Sequence, residues 1–123
     1  METAVILDWT LVGECSIPED VNDILVQNER AIAAYKTFRD SAIFTTKRLI
    51  MRDAQGISGK KVEMYSLPYS SILMWSSENA GGVLNPNTEL ELWTKVGKIK
   101  VNLDKSVDIR RLDRLLGIAL LVD

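Results

Sequence analysis

The chain has no histidine and a single cysteine. Without histidine there is no Ser-His or Cys-His catalytic pair, no side chain that ordinarily titrates near neutral pH, and none of the usual zinc ligand sets. Cys15 alone cannot close an intramolecular disulfide, and the neighbouring Glu14 works against a thiolate, so it reads as a buried or bystander thiol. Long apolar runs are missing too: the longest, 4–7 and 115–122, fall far short of the ~20 residues that span a bilayer. The acidic start lacks the basic n-region of a secretory signal, which makes the cytoplasm the expected compartment. Gly81-Gly82 is not followed by a helix start of P-loop type, and Asn85-Pro86-Asn87 lacks calcium-loop spacing. No basic stripe is interleaved with aromatics as nucleic-acid binders require. No cofactor, metal or nucleic-acid partner is expected, and the chain reads as a non-enzyme.

What is present suits one globular domain. At 123 residues, 46% hydrophobic and 26% charged, the chain has enough apolar surface for an independent core and no room for a second domain. The net charge of −2 is unevenly spread, with seven acids and no base in residues 1–29, then fifteen bases against ten acids. Two readings fit: an acidic leader lying beside a mildly basic barrel, or an anion-binding face.

Residues 4–12 are nearly continuously apolar, so periodicity does not separate helix from strand, and a helical turn is expected there. Ser16-Ile17-Pro18-Glu19 fits a capping box, and Val21, Ile24 and Leu25 supply helical spacing, predicting a short amphipathic helix over 17–26. From Glu29 the period shortens, and strands are expected over 29–38, 41–45, 48–53, 60–66, 69–78, 89–94 and 98–103. Gly56 and Gly59 supply one reversal and Gly97 another, while a loop spans 79–87. In 89–94, Leu90 and Leu92 should face inward and Glu89, Glu91 and Trp93 outward. Ser106 is the expected N-cap of a last helix whose core stripe is Ile109, Leu112, Leu116 and Ala119. Its second half, with Leu115, Ile118, Leu120, Leu121 and Val122, is apolar nearly all round.

Three motifs in the central stretch carry a resemblance: Thr-x-Lys-Arg-Leu-Ile at 45–50, Gly-x-x-Gly-Lys-Lys at 56–61 and Pro-Tyr-x-x-Ile at 68–72. In this order and spacing the chain resembles the bacterial pleckstrin-homology (PH) family, and the likeness extends over roughly 14–121 through Tyr35-Lys36-Thr37-Phe38-Arg39-Asp40 and Glu89-Leu90-Glu91-Leu92-Trp93. The resemblance implies a mainly β (α+β) fold: a seven-stranded antiparallel PH-like barrel of two orthogonal sheets capped by the C-terminal helix, with a short N-terminal helix. Residues 1–28 would form a helical leader on the barrel of 29–123. Bacterial members are largely uncharacterised in activity and are known for homo-oligomeric rings. Eukaryotic relatives bind phosphoinositides through a basic loop between their first two strands. The corresponding loop here holds only Lys36, Arg39 and the acid Asp40, so that motif is absent.

Two residue sets are candidates for function. Tyr65, Trp75 and Trp93, with Leu115, Ile118, Leu120 and Leu121, would form an interface with a second copy or another protein; burial inside the fold is the competing reading for the aromatics. Arg39, Lys47, Arg48, Lys60 and Lys61 would form an anion-binding set for a membrane headgroup or phosphate, against the alternative that they are solvated hairpin residues. Glu89 and Glu91 read as cross-strand partners of Lys98 and Lys100. The chain is therefore expected to be a non-enzymatic scaffold or protein-interaction module that assembles with itself, a ring being one form, with anionic lipid binding at the membrane surface as the alternative.

Overall fold

Hydroxyl groups build the tight hairpins. At three of them a threonine opens the turn and its Oγ1 accepts from the backbone N–H groups two and three residues on: Thr37 from Arg39 and Asp40, Thr45 from Lys47 and Arg48, Thr94 from Val96 and Gly97. This is the short-range capture by which Ser and Thr favour turns. Gly97 adds a φ of 148°, which side-chain-bearing residues avoid. The computed structural model describes residues 5–55, 61–78 and 88–122. The turn of Gly56 and Gly59 and the loop over 79–87 lie outside the described residues.

Among the described residues there are eight strands: β1 (Val5–Glu14), β2 (Ala31–Thr37), β3 (Asp40–Thr45), β4 (Arg48–Gln55), β5 (Lys61–Pro68), β6 (Ile72–Glu78), β7 (Thr88–Thr94) and β8 (Gly97–Leu103). A four-residue helix α1 (Glu19–Asn22) follows β1, and helix α2 (Ile109–Leu121) follows β8. Tyr69–Ser71, expected to start a strand, is a 3₁₀ turn instead. Pro68, with φ −62° and no N–H, turns the chain there, and the buried Tyr69 hydroxyl donates to the Thr45 carbonyl at 2.8 Å.

The expectation of seven antiparallel strands is corrected by β1. Residues 5–14 are a strand and not a helical turn. β1 runs antiparallel to β2, with Leu11 opposite Thr37, and parallel to β8, with Leu11 opposite Leu103. From Leu11 on, β1 has ladder partners on both sides, and its β-branched and aromatic content suits a strand. The result is one mixed sheet of order β5-β4-β3-β2-β1-β8-β7-β6. β1 therefore welds the antiparallel groups β2–β5 and β6–β8, and the strands at the two open edges, β5 and β6, follow each other in sequence.

Every strand group and α2 contribute to one buried cluster. It includes Leu11, Tyr35, Phe44, Leu49, Leu90, Leu92, Val101 and Leu112, with Tyr35 meeting Phe44 edge-on at 6.0 Å between ring centres. Leu90 and Leu92 face this core, as their alternation predicts. β3 is buried on both faces, because a second cluster of Ala34, Ile43, Ile50 and Val21 lies on the outer side of β2–β4 beneath residues 15–25.

That covering segment is less helical than its spacing predicts. α1 has four residues, its N-cap is Pro18, and no side chain caps it, so the capping box of Ser16 and Glu19 does not form. Tertiary bonds take over: the Ile24 carbonyl accepts from Arg48 at 2.7 Å, the Val26 N–H donates to Glu29 at 3.1 Å, and Asn28 adopts φ 67°. At α2 the cap is Asp108 rather than Ser106. The Asp108 carboxylate accepts from the N–H groups of Arg110 and Arg111, and Ser106 donates to the Val12 carbonyl. Among the described residues no helix is long and apolar enough to cross a membrane.

Candidate interaction site

The basic residues singled out by the sequence divide between the two ends of β4. Lys47 and Arg48 stand at its start, whereas Lys61 faces Gln55 at its end, roughly 23 Å away at ~3.3 Å per strand residue. Arg39, in the β2–β3 turn, lies at the Lys61 end, and Lys60 lies outside the described residues. The structure does not bring the set to one place.

Arg48 is also taken up by the fold. Its guanidinium donates to both Glu29 oxygens at 2.9 and 3.1 Å, to the Ile24 carbonyl and to Ser66 Oγ at 3.1 Å. The Glu29 side chain is only 1% exposed. Burial pushes its carboxyl up, but hydrogen bonds from Arg48, Thr45 and the Val26 N–H outweigh that and hold it below the usual carboxylate range. Arg52 is clamped in the same manner between Asp20 and Asp40, with its Nη1 2.6 Å from Asp40 and its Nη2 2.9 Å from Asp20. Arg39 grips Asp53 through two bonds of 3.0 and 3.1 Å, yet most of its side chain remains in solvent.

The apolar candidates separate by depth. Leu115 is buried in the core, and Leu120 is half-buried against it. Ile118 and Leu121 are exposed, at 59% and 74%. Trp75 is half-buried: its Nε1 donates to Asp113 of α2 at 2.8 Å, and Ser77 donates to the same carboxylate at 2.6 Å. These two bonds hold the Asp113 carboxyl below its usual range and tie α2 to β6. Trp93 lies under the Lys98 ammonium, 5.3 Å from the ring centre, and Tyr65 is exposed on the edge strand β5.

Along α2, residues 111, 115 and 118 fall at spacings of four and three, with Val122 just past the helix as its C-cap, and they form a row beside the core stripe in which Leu115 is itself buried. With Ile32 and Thr46 this row lines an open groove of about 400 Å³, and Arg111, which pairs with Glu14, stands at its rim. Ile32 and Thr46 were not singled out in the sequence; they come into place only through the pairing of β2 with β3.

The carboxylates of β7 are engaged. Lys98 contacts Glu91 at 3.0 Å and Lys100 contacts Glu89 at 3.4 Å. Burial and a hydrogen bond with Glu91 push Glu89 up, while Glu91 is lowered by that same bond and by Lys98. Cys15 is half-buried, and burial pushes its thiol up, away from nucleophilic character.

A family model described as "Bacterial PH domain" matches residues 1–119. The chain belongs to the bacterial PH domain family. This PH domain is 45% identical over 82 residues to the uncharacterized protein YjqA of Bacillus subtilis, a match that takes in 67% of the chain and 65% of the relative, so the chain spans just under two thirds of that protein's length. Among solved structures it is similar to a protein with a pleckstrin-homology domain from Shewanella loihica, with a TM-score of 0.74, 33% identity and coverage of 85% of this chain and 93% of the other. A pleckstrin-homology domain from Shewanella amazonensis matches with a TM-score of 0.60, 35% identity and 79% coverage of each chain. A PH-domain protein from Exiguobacterium sibiricum, 20% identical with a TM-score of 0.57 over 94% of this chain and 62% of that one, shares the fold. The family accounts for the sheet-rich fold and the C-terminal helix.

Proposed function

We propose that this PH domain is a non-enzymatic, cytoplasmic scaffold that associates with itself through the outer stripe of α2. The single observation that carries the reading is the exposure of Ile118 and Leu121 on α2 and of Val122 at its C-cap, beside an apolar groove. Three large aliphatic side chains on neighbouring turns favour a covered state, since apolar area removed from water contributes about 25 cal/mol per Å². Association is also compatible with the fold's own ties, because Trp75 and Ser77 hold α2 in place through Asp113 and leave the outer stripe free of that duty. An anionic headgroup has less support, since Arg48 and Arg39 are engaged by Glu29 and Asp53 and Lys47 is a strand length from Lys61.

The test is the solution mass by light scattering behind size exclusion, on the wild type and on Ile118→Asp. The expected result is a discrete multimer that becomes a monomer in the variant. A wild-type monomer at high concentration overturns self-association. A multimer unaffected by the substitution removes α2 from the contact.

A further inference from the structure

β1 is longer than its neighbour. It has ten residues, but it pairs with β2 only from Leu11 onward, because β2 ends at Thr37 and the chain turns away into β3. Among the described residues, 7–10 therefore hydrogen-bond as a strand on one side, to β8. Their other side borders a cleft of about 420 Å³, within the ~300–1,000 Å³ typical of ligand sites. Its opposite wall is made by the β2–β3 turn, by Asp53 of β4 and by Tyr65 of β5, and none of its lining residues comes from α2.

Three aromatic side chains meet there. Trp9 comes from the half-paired stretch of β1, Tyr65 from the edge strand, and Phe38 from the turn. Phe38 is 81% exposed, the largest exposure among the described large hydrophobic residues, and it also lines a second hollow of about 250 Å³. The sequence marks Phe38 only as part of a family motif, and it contributes nothing to either buried cluster.

The charge around the aromatics is mainly negative. Arg39 and Asp53 neutralise each other through their two bonds. Among the described residues Asp8 is exposed and accepts from the Asn102 amide, and Glu63 is exposed two residues before Tyr65 on β5. A strand border with unpaired backbone, an aromatic hollow beside it and surplus carboxylates together describe a receptor for extended chain. Strand addition supplies main-chain hydrogen bonds, and alternate side chains supply selectivity.

We propose that the cleft binds an extended peptide segment, which adds as a strand along residues 7–10 and places an aromatic or large aliphatic side chain among Trp9, Phe38 and Tyr65. A Lys or Arg next to that anchor faces Asp8 and Glu63. The recognised class is thus a basic, aromatic-containing segment of another protein. This site is independent of the α2 stripe, so either reading can fail alone.

The experiment selects a phage-displayed library of random peptides about eight residues long on the intact protein, then measures synthetic versions of the enriched sequences by fluorescence anisotropy. Aromatic anchors next to Lys or Arg are expected. Phe38→Ser should weaken binding ~10-fold or more, as loss of a central aromatic contact does, and Asp8→Asn should weaken it less and reduce its salt dependence. Phe38 stands in solvent, so its replacement leaves the core intact. Hydrogen exchange at the backbone amides on the open side of residues 7–10 should slow when peptide binds. The proposal is overturned by a selection that enriches nothing, by peptides bound equally well by Phe38→Ser, by acidic peptides, or by binding without amide protection. Concentration-dependent protection of those amides in the free protein overturns it too, since a second copy would then occupy the edge.

Discussion

The outer faces of the two halves of the sheet are treated differently. Over β2–β4 the outer face is covered by residues 15–25, and the one acid cut off from water at its margin, Glu29, is paired with Arg48, whereas Arg52 is paired with the more exposed Asp20 and Asp40. Over β7 and β8 no described segment forms such a cover, and the acids and lysines there form a partly solvated ladder, Glu91 with Lys98 and Glu89 with Lys100. Ion pairs of similar length thus have opposite energetic standing. A carboxylate cut off from water depends on its partner, whereas one in contact with water can be hydrated instead.

The sharpest way to break this contrast is Arg48→Ala. It leaves Glu29 buried without its cation and should cost about 3–5 kcal/mol in urea unfolding. A loss below about 1 kcal/mol would mean that the covering segment lifts away and hydrates Glu29. Arg48→Lys should recover little, because an ammonium cannot reproduce a fork that reaches Glu29, Ile24 and Ser66 together.

The same pair predicts an acid limb. The Glu29 carboxyl is lowered in the folded state, so its contribution is complete above its unfolded pKa of about 4.3 and is lost as pH falls through the lower folded value. Stability followed by chemical unfolding should therefore change little through this group between about pH 7 and 5 and fall below about pH 4. Glu29→Gln should be less stable at neutral pH but flatter in acid. A variant with the wild-type acid slope would assign the limb to other carboxylates.

Next in size is the packing beneath the cover. Val21→Ala removes fully buried methyl groups from the outer cluster and should cost about 2 kcal/mol, measured by the same unfolding experiment. Smallest is the ladder: Lys98→Ala should cost under about 1 kcal/mol, and the loss should shrink further in 1 M salt. A larger cost that salt does not reduce would implicate the contact of Lys98 with Trp93 rather than its charge.

Much of the fold is legible in the sequence because one face of its strands is wet. β7 and β8 alternate cleanly, and their inward residues are the ones that alternation selects. β1 is not legible by period, since its apolar residues run nearly without interruption, and what decides its conformation is a neighbour about ninety residues away. The helix expected over 17–26 shrinks to α1, and Glu29 accepts from the Val26 N–H that a longer helix would direct to Asn22, while Arg48 holds the Ile24 carbonyl. The repeated Thr at the hairpins was in plain view, yet its meaning depends on strands meeting on either side.

The candidate residues show the same limit. Lysines and arginines are visible as types, but whether one is free depends on partners 14, 19 or 32 positions distant, as for Arg39, Arg48 and Arg52. The exposed half of α2 was legible because no single core stripe accommodates that many apolar residues. The aromatic cleft was not, because it arises where one strand outlasts its neighbour.

The parallel join of β1 to β8 also sets an order of events during synthesis. Hairpins among β2–β5 close over short loops, but β1 cannot complete its pairing until β8 exists, about ninety residues later. At ribosomal rates of ~5–20 residues per second, that leaves β1 waiting on the order of 5–20 s. Through that interval its apolar residues are available to chaperones and to neighbouring nascent chains, so the strand that unites the finished sheet is also its most vulnerable part while the protein is being made.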